Sequence, residues 1–478
     1  MKEGYIKQHK RKNILLLTDD IRTHSGVAQV GRETVVNTAH RYNWVQLAGA
    51  IEHPELGKIS DISEEIQTQS GVSDAKCLLY PVNGYGDPDT VRGVIARENI
   101  DAIFLITDPR YFDWLFKIEN EIRKKIPIIY LNIWDDYPAP VYNKEFYESC
   151  DALFGISKQS KHINELVLGD RGKNKIFKYI PHGLNTEFFK KVEDDNIELK
   201  DFKKHLFNGD EPEFSLLFNS RNIRRKNIPN TILAWKLFCS RISREEAEKC
   251  KLILHTKISD PNGTDLDAIL DYLEDWRDVP NNIIIDQNNY PTQHMGYLYN
   301  SVDGVIQLSN AEGWGLSLTE GLLTGTPIIA NVTGGMQDQM RFVDENGNWF
   351  TNNDDVPSNH RKTYTECGEW AFPVFPKLQS MVGSIPTPYI FEDHCSYEDA
   401  ADQIMNLYKM GKDQRTKIGL AGKKWAEGEE AGFTAKKMGM RIIEGIDELF
   451  DTWKPREQFE FLADTDYEKR VLKHKLIY

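Results

Sequence analysis

Short apolar runs alternate with helix-length segments twice along this chain, and that double alternation constrains its fold more than any other feature. The first series comprises NILLLTDD (13–20) and then residues 44–48, 102–107, 128–133 and 152–156. The pattern restarts at 215–218 and continues at 251–256, 282–285, 304–308 and 327–331. Strands separated in this way by helices form parallel sheets with helices on both faces. The expectation is an α/β chain with two Rossmann-like domains, and 478 residues are too many for one ordinary core. Ligands of such sheets bind outside the carboxyl ends of the strands. Two of these edges facing each other make a cleft, with Pro181-His182-Gly183 as the expected crossing between domains.

The stretch NAEGWGLSLTEGLLTGTPIIANVTGG (310–335) holds the densest chemistry. Gly313, Trp314 and Gly315 read as a tight turn, and residues 316–323 as a helix. A glycine turn lets backbone N–H groups approach a ligand closely, and the helix N-terminus behind it favours an anion. Glu312 sits on the turn, and Glu320 lies inside the helix. Carboxylates so placed accept hydrogen bonds from hydroxyl groups, such as those a sugar nucleotide offers at its hexose and its ribose.

Glu312 and Glu320, with seven residues between them, resemble the signature of the glycosyltransferases group 1, also known as family 4. Its members have the GT-B fold, two Rossmann-like domains flanking a cleft. The turn Gly325-Thr326-Pro327 and the pair Gly334-Gly335 fit the same pattern. FSLLFNSRNIRRKN (214–227) resembles the strand and loop that open the family's donor domain. There an Arg is followed five positions later by a Lys, as Arg221 and Lys226 are here, with Arg224 and Arg225 between them as substitutes. YIPHGLNTEFF (179–189) resembles the interdomain hinge, and CDALFGISKQSKHI (150–163) the last strand and helix of the first domain. A helix at 432–450 resembles the element that returns to the first domain.

The resemblance implies domains at 1–183, completed by 435–478, and at 184–434. It also implies a retaining transfer from a nucleotide diphosphate sugar to an acceptor hydroxyl, without an obligatory metal or cofactor. Arg221 and Lys226 would then stabilise the leaving diphosphate, one by a planar two-point contact and the other as a point charge. The loop Thr23-His24-Ser25-Gly26-Val27 would lie near the diphosphate, with Gly26 allowing close approach. Gly313, Trp314, Gly315 and Leu316 would line the donor, Glu312 would hold the sugar, and Glu320 the ribose.

Three features depart from the family pattern. After the run at 128–133 the family often has a His-Asp pair, whereas this chain has Asp135-Asp136. Either is a candidate to take the acceptor proton or position its hydroxyl, and either could instead cap the next segment; Asp108 is a further candidate. Second, about fifty residues at 341–393 interrupt the donor domain, a length that suits a lid, an acceptor contact or an oligomer contact. Their aromatics, Trp349, Phe350, Trp370, Phe372 and Phe375, are expected to border the acceptor side of the cleft, or to form a surface cluster of their own. Third, the tail after 451 is longer than the returning helix requires. It contains Asp464-Thr465-Asp466, formally the metal motif of the other glycosyltransferase fold but without a supporting strand.

Composition narrows the partners. The net charge of −14 disfavours a polyanion, yet residues 1–186 hold 24 Lys+Arg against 25 Asp+Glu, so nearly all the excess lies in the second part. The first domain is therefore not repulsive to an anionic acceptor, and the acceptor remains open: a glycan, a small molecule or a hydroxylated base in nucleic acid. The cluster Lys7, Lys10, Arg11 and Lys12 reads as a solvated arm, or else as a contact for phosphate or an anionic membrane. MKEGYIKQHKRKN has no apolar signal core, no run is long enough to span a membrane, and six scattered cysteines suit a reducing, cytoplasmic setting. Self-association is left open. The competing readings are a sugar-nucleotide epimerase and a non-catalytic sugar-nucleotide-binding protein.

Overall fold

The structure, a computed structural model, describes residues 4–352 and 358–456. The first sheet has eight strands: β1 (Lys12–Asp19), β2 (Tyr42–Gly49), β3 (Ser60–Asp61), β4 (Cys77–Pro81), β5 (Ala102–Ile106), β6 (Ile128–Asn132), β7 (Ala152–Gly155) and β8 (Ile176–Tyr179). Their order is β3-β4-β2-β1-β5-β6-β7-β8, and only the short β3 runs antiparallel to its neighbour. Leu15, Leu16 and Leu17 are at most 1% exposed, so β1 is buried on both faces, which is why its sequence is apolar throughout rather than alternating. Three strands lack that signal, the first being β3, which is only Ser-Asp and is not buried. β4 alternates between buried and half-buried positions, and β8 is half-buried along its length at the sheet's edge.

The second sheet comprises β9 (Phe214–Asn219), β10 (Cys250–His255), β11 (Ile283–Asp286), β12 (Gly304–Gln307), β13 (Ile328–Asn331) and β14 (Ala371–Val374), in the order β11-β10-β9-β12-β13-β14. Every pairing is parallel. The strand order reverses between β1 and β5 in the first sheet and between β9 and β12 in the second. Both reversals open toward the same cleft, where the parallel-sheet rule places ligands.

The segment 341–393 differs from its expected role. Part of it is the sixth strand of the sheet, with Ile328 of β13 opposite Ala371 of β14. Pro373, which has no N–H to donate, is accommodated because β14 is an edge strand. The aromatics do not form a stacking surface at the cleft. Phe350, Trp370 and Phe372 are buried in the core, and Trp349 packs against Tyr179, Trp425 and Phe433. Their apolar area is removed from water by the protein itself.

The end of the segment is an antiparallel hairpin, β15 (Leu378–Val382) and β16 (Ile390–His394), which reaches the first domain. Phe391 N donates to Tyr137 O at 2.6 Å, and Tyr142 Oη to Tyr389 O at 2.9 Å. Arg110, paired with Asp108, donates to Pro386 O and to Thr387 Oγ1 at the hairpin tip. The hairpin is thus a strap between domains.

The chain crosses between domains near Gly183 and returns near Thr434. The two crossings are joined, Leu184 N donating to Phe433 O at 3.1 Å and Ala435 N to Leu184 O at 2.8 Å. The helix Ala435–Thr452 then packs on the helix Gly26–Thr38 of the first domain, and Tyr42 Oη reaches Asp447 at 2.6 Å. Among the described residues no helix is long and apolar enough to cross a membrane. All six cysteines are free. Asp464-Thr465-Asp466 lie outside the described residues.

Gly183 leaves no space for a side chain, since a Cβ there would stand 2.2 Å from Thr434 O. Gly183→Ala is therefore expected to force the two crossings apart, at roughly the 1–3 kcal/mol typical of overpacking. Thermal unfolding should show a lower Tm, and hydrogen exchange should show faster exchange at Leu184 and Ala435. An unchanged Tm would show that the crossings yield at no cost.

Candidate active site

The turn after β12 carries Glu312 into the cleft, and a one-turn 3-10 helix after β9, Arg224–Lys226, carries two cations to meet it. Lys226 Nζ donates to Glu312 Oε2 in a close ion pair. Arg225 donates to the same oxygen at 3.2 Å and to Ala311 O at 2.7 Å. From the first domain Asp135 completes the cluster, with Oδ1 accepting from Gly313 N at 3.0 Å and Oδ2 3.5 Å from Arg225 Nε. Four charged groups from two domains thus share one wall of the cleft.

Burial alone would push the Glu312 carboxyl up, but Lys226 and Arg225 more than offset it and hold the group well below the usual carboxylate range. Burial pushes Lys226 down from its ordinary value, against the pull of Glu312. Asp135 is raised by burial, with Arg225 opposing. His182 is buried beside Trp314 and driven down to about 3, so its ring is neutral.

Glu320 lies one helical stretch away in a less charged setting. Tyr299 Oη donates to its Oε2, and Asn219 Nδ2 approaches the same oxygen at 3.5 Å. Burial raises its carboxyl to about 6, against those two hydrogen bonds and the nearby His255.

A cavity of about 530 Å³ joins these groups, lined among others by Ser25, Gly26, Asp135, Lys226, Glu312 and Glu320. A second cavity of about 790 Å³ shares His24, Ser25, Asn219 and Glu320 with it and adds Tyr290, from the loop after β11. Ser25 caps the helix Gly26–Thr38 by accepting from Ala28 N at 3.0 Å, which aims that helix N-terminus at the cavity.

The structure therefore gathers Gly26, Lys226, Glu312, Gly313, Gly315, Leu316, Glu320 and Asp135 about one cavity. Three expected residues differ. Arg221 lines the cavity only as an exposed side chain turned to Asp260, at 2.7 Å, and Arg225 stands beside Lys226 in its place. The reason is local, because Asp260 offers Arg221 a two-point carboxylate.

Trp314 lines the same cavity but is only 2% exposed, its ring packed on His182 and Phe433 and its Nε1 bonded to Thr319, so most of its ring supports the turn. Asp136 is fully buried and turned away from the cavity. Tyr137 N, Gln159 Nε2 and Thr333 Oγ1 occupy its oxygens, so no acceptor hydroxyl reaches it. Sequence reasoning missed Asn219 and Tyr299, which contact Glu320 from other elements. Asn219 ends an apolar strand, which could have marked it; nothing in the sequence marks Tyr299.

The chain has the GT-B architecture of the glycosyltransferases: two sheets of parallel strands facing one cleft. Within it, residues 198–360, about a third of the chain and the part holding Lys226, Glu312 and Glu320, match the family model described as Glycosyl transferases group 1. No curated protein matches by sequence. Among solved structures, sucrose-phosphate synthase from Thermosynechococcus elongatus superimposes with a TM-score of 0.63 at 14% identity, covering 92% of this chain and 100% of that one. HepE of Anabaena, in complex with UDP and glucose, gives 0.61 at 13% identity over 92% and 100%. An Escherichia coli trehalose-6-phosphate structure bound with UDP-2-fluoro glucose gives 0.58 at 11% over 93% and 100%. Likeness at these identities concerns the fold.

The Tyr299 hydroxyl lowers the Glu320 carboxyl from where burial alone would hold it. Tyr299→Phe is therefore expected to move the Glu320 titration above about 6, because the charged form loses a donor. Carbon-13 NMR of labelled glutamate in the parent and the variant follows this directly. A titration that stays in place or falls would mean that the hydroxyl does not stabilise the carboxylate.

Proposed function

We propose that this protein is a retaining glycosyltransferase that moves a sugar from a UDP-sugar to an acceptor hydroxyl without an obligatory metal. The observation that carries this reading is the Lys226–Arg225–Glu312–Asp135 cluster, set at the facing carboxyl ends of two parallel sheets, with Glu320 further along the same cavity. The solved complexes with UDP and with UDP-2-fluoro glucose on this fold support the choice of donor.

Lys226 and Arg225 supply fixed positive charge where a leaving diphosphate gathers negative charge, and the N-terminus of the helix Gly26–Thr38 adds backbone donors. Glu312, kept ionised by those cations, accepts hydrogen bonds from sugar hydroxyls. Glu320 accepts from the ribose. The bond between the anomeric carbon and the diphosphate breaks while the acceptor oxygen bonds that carbon on the same face. The acceptor proton passes to the departing phosphate oxygen, so no protein nucleophile is assigned. Asp135 orients the acceptor hydroxyl and ties the first domain to Gly313.

Release of UDP from UDP-glucose in water, without acceptor, tests the reading. Glu312→Gln is expected to slow it by about two orders of magnitude with the fold intact, the scale for a lost electrostatic contact in the transition state. Parent and variant within twofold of each other would remove Glu312 from the chemistry. If no member of a nucleotide-sugar panel is bound or turned over, the protein is not a transferase of this type.

Lys226→Ala should cost roughly 1.5–3 kcal/mol in calorimetric binding of UDP, the range for a hydrogen bond to a charged group. Uridine should bind as before. Equal weakening of uridine would place the effect of Lys226 on folding rather than on the diphosphate.

A further inference from the structure

Asp136, on the loop after β6, and Asp393, near the end of β16, belong to different parts of the fold, yet both are fully buried and meet at one hydroxyl. Thr333 Oγ1 lies 2.7 Å from Asp393 Oδ2 and 3.2 Å from Asp136 Oδ2. A threonine hydroxyl has a single proton to donate. Given to one carboxylate, it leaves only lone pairs facing the other. Two ionised carboxylates at this site would set one oxygen against another with no hydrogen between them.

The remaining partners distinguish the two carboxyls. Asp393 is surrounded by donors: Ser358 Oγ at 2.9 Å and Gln379 Nε2 at 3.0 Å reach Oδ1, and Thr333 makes the shorter of its two contacts with Oδ2. Both of its oxygens therefore accept. Asp136 accepts at Oδ1 from Tyr137 N at 2.7 Å and Gln159 Nε2 at 3.2 Å, while among the described residues its Oδ2 has only the Thr333 oxygen. That oxygen is the one able to donate.

The groups facing Asp136 agree. The helix Lys158–Leu168 presents neutral Gln159, the turn after β13 presents neutral Thr333, β16 presents Asp393, and its own loop adds Asp135. Among the described residues neither carboxyl is in an ion pair. Burial, and then the charges of Asp393 and Asp135, push the Asp136 carboxyl well above its ordinary range, with Tyr137 N and Thr333 opposing.

We propose that Asp136 is a positioning residue that works in its protonated form, donating to Thr333, which donates in turn to the Asp393 carboxylate. The Asp136 proton and the Thr333 proton, donated in series, thus clamp the loop at 133–137 of the first domain onto the strap and the second domain. The neighbouring Asp135 receives Gly313 N at 3.0 Å, so the clamp sets the distance between the domains at the candidate site. Only this last consequence rests on the proposed transfer; the clamp itself does not.

A carboxyl raised in the folded state stabilises fully below its unfolded value, and that contribution is lost as pH rises through the folded value. The amide of Asp136→Asn keeps a donor for Thr333 and an acceptor for Tyr137 N, and it cannot ionise. Thermal unfolding of parent, Asp136→Asn and Asp393→Asn between about pH 5 and about pH 8 tests the clamp. Asp136→Asn is expected to be at least as stable as the parent, with a margin that widens as pH rises. Asp393→Asn, which removes an ionised acceptor from three donors, should lower Tm throughout.

Hydrogen exchange at Gly313 should stay slow at high pH in Asp136→Asn while it quickens in the parent. Infrared difference spectra between the parent and Asp136→Asn at neutral pH should show a protonated-carboxyl band that belongs to Asp136, a readout that remains even if Asp393→Asn does not fold. A parent without that band, or an Asp136→Asn variant destabilised equally at every pH, would overturn the proposal. None of these readouts depends on turnover, so failure to transfer sugar would count against the proposed function alone.

Discussion

The structure turns on a close approach between the turn after β12 and the loop after β6. A Cβ on Gly313 would lie 2.6 Å from Ile133 O, so the turn of the second domain meets the first-domain backbone with no side chain between them. Gly313 N then bonds Asp135, Glu312 is drawn to Lys226 and Arg225, and the cavity lies immediately beside the contact. A bulkier turn would separate the two sheet edges and disperse the four charges. The joined crossings at Leu184 and Ala435 and the helix Ala435–Thr452 hold the domains at the spacing this contact needs.

Two carboxylates of the same motif are tuned in opposite directions. Both Glu312 and Glu320 are buried, which disfavours charge in each. Glu312 has two cations in contact and stays ionised, while Glu320 has neutral donors and sits near 6. On the proposed function both accept from neutral hydroxyls, Glu312 beside the two cations that face the diphosphate and Glu320 in a neutral setting. Asp136 shows the third outcome: a carboxyl with no cation and a like charge nearby keeps its proton and becomes a structural donor.

The segment at 341–393 does more for the architecture than for the cleft surface. Its aromatics fill the core where the crossings meet, β14 completes the second sheet, and the hairpin ties that sheet to Tyr137, Tyr142 and Arg110. Aromatic and proline content drew attention to the segment correctly. It did not reveal the strand, because four residues with a proline carry no usable periodicity and their pairing with β13 spans a long loop.

The sequence by itself determined the two parallel sheets, the position of the crossing, and the residues Lys226, Glu312 and Glu320. The sheets and the crossing follow from local information, apolar runs buried on both faces and glycine turns, whereas Lys226, Glu312 and Glu320 are marked by resemblance to the glycosyltransferases group 1 and are brought to one cavity by the fold. Tertiary structure alone decided that Arg221 turns to Asp260 while Arg225 faces Glu312, that Trp314 is core, that Tyr299 bonds Glu320, and that adjacent Asp135 and Asp136 point to different environments. Each of those outcomes depends on a partner distant in sequence. Charge pairing and desolvation are properties of the assembled surroundings, and no local pattern encodes them.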